Sequence, residues 1–118
     1  MVAVAAIAVV GITVTPGTAH HRVMKGKAVY YSNEFKGDTM ACGGDYRPRK
    51  MVAAHRRLPC GTQLRVKNRA TGKVVTVTVK DRGPYGDKDT KVDVSRRAAR
   101  RLGFWRHGSA RVRMTVRH

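Results

Sequence analysis

Asp81 stands where a β-branched run stops. The segment Val74-Val75-Thr76-Val77-Thr78-Val79 places apolar residues at alternate positions, the pattern of a half-buried strand, and it ends in Lys80-Asp81-Arg82-Gly83-Pro84-Tyr85. A carboxyl group at a strand end, held by a Gly-Pro breaker, is suited to act as one acid or base. Proton donation would call for partial burial to raise its pKa. Arg82 works against that unless alternation turns its guanidinium to the other side. On spacing alone the simpler reading is a turn carboxylate that bonds backbone N–H groups. Carboxylates are scarce, with only 7 Asp and Glu among 118 residues, so little else can share the chemistry. No spacing of His and Cys matches a metal site, because the adjacent His20-His21 point apart on an extended lead and lack further ligands.

The elements that must position Asp81 follow from local patterns. Gly26-Lys27-Ala28-Val29-Tyr30-Tyr31-Ser32 has strand composition, and the Gly-rich segment Glu34–Lys50 reads as a long irregular loop of the kind that carries function. Met51-Val52-Ala53-Ala54-His55 is short and apolar. Thr62–Asn68 alternates and joins the Val74 strand through a Gly-containing turn, which predicts a hairpin. Lys91-Val92-Asp93-Val94 is a further short strand. Ser95 occupies an N-cap position before Arg96–Leu102, with Gly103 closing that two-turn basic helix. Asp93 is expected to support the helix N-terminus. Ala110–Arg117 alternates strictly, as a last strand with one wet, cationic face. The whole reads as a small, mostly β domain with one short helix, which suits a closed barrel.

Length allows one domain with a modest core. The formal charge of +18, from 25 Lys and Arg, predicts attraction to polyanions without naming one. Met1–Ala19 carries no charged side chain, and an apolar stretch Val2–Ile12 precedes small residues before His20. That predicts a signal peptide over 1–19, with the usual basic start missing, and a basic mobile lead over 20–25; a buried N-terminal strand is the alternative. The apolar stretch is short for a membrane span, and no cysteine follows it for lipid attachment, so no stable membrane anchor is expected. Cys42 and Cys60, an even count in a small exported domain, suggest a disulfide worth about 3 kcal/mol. In a reducing compartment they would be two small core residues.

Five separated segments occur together in order: Gly26–Tyr31; Thr39–Gly43; Met51–Thr62; Lys80–Tyr85; and Val92–Ser95 with Ala98-Ala99-Arg100 and Leu102-Gly103. Across Gly26 to Val116 this pattern resembles the rare lipoprotein A (RlpA) family. The resemblance implies an all-β, six-stranded double-psi β-barrel over 26–117, the fold of expansins and barwin-like proteins. It also implies a lytic transglycosylase of the periplasm or cell wall, cleaving peptidoglycan glycan strands without a cofactor or metal. In the family an Asp, a His and a loop Glu carry function. The first two correspond to Asp81 and His55; the Glu position is Gly44, with Asp45 one residue later as the group that could reach the same space.

Glycoside hydrolysis ordinarily takes two carboxyl groups. A lytic transglycosylase does without the second, because the C6 hydroxyl of the sugar attacks C1 and closes a 1,6-anhydro ring, so Asp81 would both give and receive the proton. On this reading His55 orients substrate or shares the proton, Arg82 contacts the glycan, and Tyr31 and Tyr85 stack on sugar rings. Plainer roles compete: a hydrogen-bonded structural His55, a core Tyr31, and a solvated arginine face that could hold acidic envelope polymers. The alternative function is a non-catalytic, expansin-like glycan-binding barrel. Specific nucleic-acid recognition is not expected, since no motif for it is present, and a monomer is.

Overall fold

The structure is a computed structural model that describes residues 22–117. The expected signal peptide over 1–19 lies outside the described residues, as do His20 and His21. Six strands, β1 (Val23–Tyr30), β2 (Val52–Ala54), β3 (Gln63–Asn68), β4 (Val74–Asp81), β5 (Thr90–Val94) and β6 (Ala110–Arg117), close into a barrel in the order β1-β5-β2-β4-β3-β6. β1 with β5 and β2 with β4 are parallel; the other pairs are antiparallel. The described residues are all-β apart from a 3-10 turn at Asn33–Phe35 and the helix α1 (Arg96–Leu102).

Alternation explains the interior. Leu64 and Val66 of β3, Val75, Val77 and Val79 of β4, and Val112, Met114 and Val116 of β6 point into one core. Each such side chain contributes roughly 1.5–3 kcal/mol by leaving water. α1 covers the barrel with Ala98, Ala99 and Leu102, and Phe104 follows them into the core. Its start is capped by Ser95, whose Oγ accepts from the Ala98 N–H, and its end by Gly103 in the left-handed region at φ 81°. Asn68, buried at the hairpin, donates from Nδ2 to the Leu102 carbonyl and so fixes the helix end to β3.

The barrel begins earlier than 26. Val23, Met24 and Lys25, expected in a mobile lead, pair with Thr115, Met114 and Arg113 of β6. The reason is that Met24 packs on the core while β6 offers a full row of partners. The Glu34–Lys50 segment is also more ordered than an irregular loop. It closes a small second core of Tyr31, Met40, Tyr46, Val52 and Ala54 on the outer side of β2. Thr39 and Asp45 bridge, and the Met40 N–H donates to Gly44 O.

Candidate active site

A bulge aims Asp81. In register with β2, Val52 faces Thr78 and Ala53 faces Val79, but Ala54 faces Asp81, so Lys80 is an extra residue on β4. In an unbulged strand Lys80 would face Ala54, and alternation from Val75, Val77 and Val79 would send Asp81 into the barrel. With the bulge, Asp81 shares the outer face of Ala54, above the second core. The loop is fastened to this spot. Cys42 and Cys60 are disulfide-bonded across a sequence separation of 18, and the Cys42 N–H donates to the Lys80 carbonyl at 2.9 Å.

Three donors then converge on the Asp81 carboxylate. The Tyr31 hydroxyl donates to Oδ2 at 2.6 Å, and the backbone N–H groups of Ala41 and Arg82 donate to Oδ1 at 2.8 and 2.9 Å. Tyr31 is held in turn by its ring, stacked on Tyr46 with centroids 4.3 Å apart. Burial, and then the bond to Asp81, raise the Tyr31 pKa far above the usual phenol range. Arg82 does not pair with its neighbour's carboxylate. Its guanidinium donates to the carbonyls of His55 and Leu58 at 3.0 and 2.8 Å.

Asp93 is the member that sequence reasoning misplaced. It does not cap α1: Ser95 does so, and the Arg96 N–H donates to the Tyr46 hydroxyl instead. Asp93 pairs across β2 with Ala54, the residue that also faces Asp81 on the other side. Two carboxyl groups therefore flank one alanine on a common face. Asp93 Oδ1 is buried with no hydrogen-bond partner. Desolvation, and secondly the charge of Asp81, push its pKa up to about 7. The available signal was the alternation Val92-Asp93-Val94, which forces Asp93 off the barrel core.

Among the described residues, the His55 and Asp45 side chains make no hydrogen bond to this pair, although the His55 N–H donates to the Asp81 carbonyl at 3.2 Å. His55 Nδ1 accepts from the N–H groups of Arg57 and Leu58, both at 3.1 Å, which places the proton of the neutral ring on Nε2. The ring lines a separate cavity of about 300 Å³ with Arg22, Met24, Arg56, Arg57 and Lys91. Burial, then the surrounding arginines, lower its pKa. Asp45 is exposed, ion-pairs with Arg47 at 3.6 Å, and lines a groove of about 510 Å³ with Gly44, Thr78 and Lys80. Gly43 and Gly44 both adopt positive φ, 97° and 82°, so a glutamate at 44 would be strained in this loop. Tyr85 is 71% exposed beyond the Gly83-Pro84 turn, free to meet a ligand. Among the described residues, no group of three or more His, Cys, Asp or Glu is placed to hold a metal ion.

A closed six-stranded barrel with two parallel pairs, one short helix and a stapled loop defines a double-psi β-barrel protein. Residues 23–114 match the family described as lytic transglycolase, and the chain belongs to that family, with RlpA-like proteins as its relatives. It is 42% identical over 91 residues to the endolytic peptidoglycan transglycosylase RlpA of Pseudomonas aeruginosa, covering 77% of this chain and 26% of that protein. An uncharacterized protein of Synechocystis, ssl3177, is 43% identical over 93 residues, covering 79% of this chain and 98% of its own length. Against the Pseudomonas enzyme, then, the chain spans about a quarter of the relative's length. Among solved structures, the Streptomyces papain inhibitor aligns with TM-score 0.65 at 25% identity, over 81% of this chain and 96% of that one. An apo expansin of Clavibacter michiganensis aligns with TM-score 0.64 at 26% identity, over 82% and 51%.

Proposed function

We propose that the chain is an endolytic peptidoglycan lytic transglycosylase of the periplasm or cell wall, with Asp81 as the residue that meets the glycosidic oxygen. The observation that carries this is the paired carboxyls flanking Ala54, one accepting three hydrogen bonds and the other buried without a partner, its pKa pushed up to about 7. A proton held by the pair passes to the glycosidic oxygen as the C1–O bond breaks. The C6 hydroxyl oxygen then bonds to C1 and returns its proton to the carboxylate, so no water is consumed. Asp93 acts through Asp81 as a positioning residue, since its Oδ1 is buried. Tyr31 orients the carboxylate, and Tyr85 offers a ring for a sugar to stack on. The disulfide fits an exported protein.

The binding-only reading has its own support: Gly44 stands at the position of the family's glutamate, and Asp45 is engaged with Arg47. Incubation with purified sacculi separates the two. The enzyme releases fragments ending in 1,6-anhydro sugars and Asp81→Asn does not. Co-sedimentation of the folded protein with sacculi, with no anhydro product at any pH from about 5 to 8, would establish the binding module and end the catalytic proposal.

A further inference from the structure

We propose that the channel between the 47–49 segment and α1 is a binding track for a phosphodiester-linked polyol of the cell envelope, distinct from the Asp81 site. Two cavities adjoin there. One, of about 540 Å³, is lined by Asn33, Lys36, Arg47, Pro48 and Arg49. The other, of about 360 Å³, is lined by Pro48, Arg49, Arg96, Arg97 and Arg100. They share Pro48 and Arg49, so six cations follow one continuous surface, and among the described residues no carboxylate lines either cavity. Among the described residues, the exposed contact of Arg47 with Asp45 is the one ion pair these six make.

The cations are held in place rather than merely numerous. The Arg97 N–H donates to Pro48 O at 3.0 Å and its Nη1 to Arg49 O at 3.1 Å, which ties the two walls together. Arg100 lies over the Trp105 ring at 4.4 Å and Arg96 over the Tyr30 ring at 5.7 Å. Arg96 Nε is buried without an acceptor. Guanidinium groups fixed in this way lose little further freedom when they bind, and their repulsion is relieved only by an anion.

The chemistry favours phosphodiester over the other polyanions. Five of the six cations are arginines, whose planar forks converge from two walls, and a phosphodiester offers two unesterified oxygens to forks on different sides. A carboxylate's acceptor sites lie in one plane, so forks arriving from two different walls meet it less well. Nucleic acid is disfavoured because, among the described residues, no aromatic lines the channel for a base to stack on, and the Trp105 ring beside it is already covered by Arg100 and Arg106. The Cys42–Cys60 disulfide also belongs to an oxidising compartment.

The test compares two variants that remove equal charge from exposed positions. Arg49→Ser with Arg100→Ser breaks the track; Arg65→Ser with Lys67→Ser removes two cations from the outer wall of β3. Binding of poly(glycerol phosphate) is measured at about 150 mM salt beside polygalacturonate and duplex DNA. The track variant is expected to lose about tenfold in affinity for poly(glycerol phosphate) and the wall variant less than about twofold. Equal losses in the two variants would reduce the effect to net charge and overturn the proposal. Binding of DNA or polygalacturonate as tight as that of poly(glycerol phosphate) would overturn it as well. If the track variant does not fold, Lys36→Ser with Arg97→Ser supplies the same contrast. Sacculus digestion by the track variant stays as in the parent chain, so this result is independent of the catalytic assignment.

Discussion

Two sides of the β2 end have opposite chemistry within a few residues. On the face of Ala54, two carboxyl groups, the Tyr31 hydroxyl and two backbone N–H groups gather, and among the described residues no cationic side chain is bonded to either acid. One residue later, His55 turns into a cavity lined by Arg22, Arg56, Arg57 and Lys91, with no acid among the described residues that line it. The first side is arranged to hold a proton and the second to refuse one. Adjacency in the chain therefore says little about partnership in a site, because strand alternation separates neighbours more surely than distance does.

The largest test of this contrast is Asp81→Asn, expected to lower anhydro-product release by about 100-fold or more while the barrel remains folded by circular dichroism. Retention of activity would transfer the chemistry elsewhere. Next, Cys42→Ser with Cys60→Ser should cost about 3 kcal/mol in urea unfolding and expose the Ala41 and Cys42 amides to faster hydrogen exchange, since the loop that donates to Asp81 is then unfastened.

Asp93→Asn should change the pH dependence of stability. The folded-state pKa of about 7 lies above the usual carboxylate value, so the folded protein binds the proton more tightly than the unfolded chain. Stability contributed by that proton is full below about pH 4 and is lost as pH rises through about 7, a change of order 2–4 kcal/mol that the variant should abolish. His55 slopes the other way: with its pKa lowered, it destabilises the fold as pH falls below about 6.5. Chemical denaturation across pH 4–8 of parent and variant resolves the two.

Smaller effects come from residues that only support. Tyr31→Phe keeps the stack on Tyr46 but removes the donor to Asp81, and should slow turnover by about tenfold with little change in melting temperature. His55→Ala should cost about 1–2 kcal/mol through two lost acceptor contacts, yet change turnover per folded molecule by less than about threefold. A collapse of turnover in a fully stable His55→Ala protein would erase the contrast between the two sides.

Much of the barrel was legible because alternation is a local code. The runs in β3, β4 and β6 state which residues face inward, and Ser95 with Gly103 bracket α1 as capping chemistry requires. Asp81 was legible as a strand-end acid and Cys42–Cys60 as a pair. The bulge at Lys80, the ring stack of Tyr31 on Tyr46 and the pairing of Asp93 with Ala54 were not, since each depends on which strands become neighbours. Asp93 shows the cost: three residues before a helix it reads as dipole support, and only the β2–β5 register reveals it as the second acid.

The extra residue at Lys80 makes the direction of Asp81 a question of parity. A β4 that ran on without the bulge, with Lys80 opposite Ala54, would keep every group of the acid's motif and every neighbour in sequence, yet turn the carboxylate among the valines of the barrel. The bulged register at the end of β4 is thus constrained as strictly as the identity of the acid itself, and the two are open to separate loss.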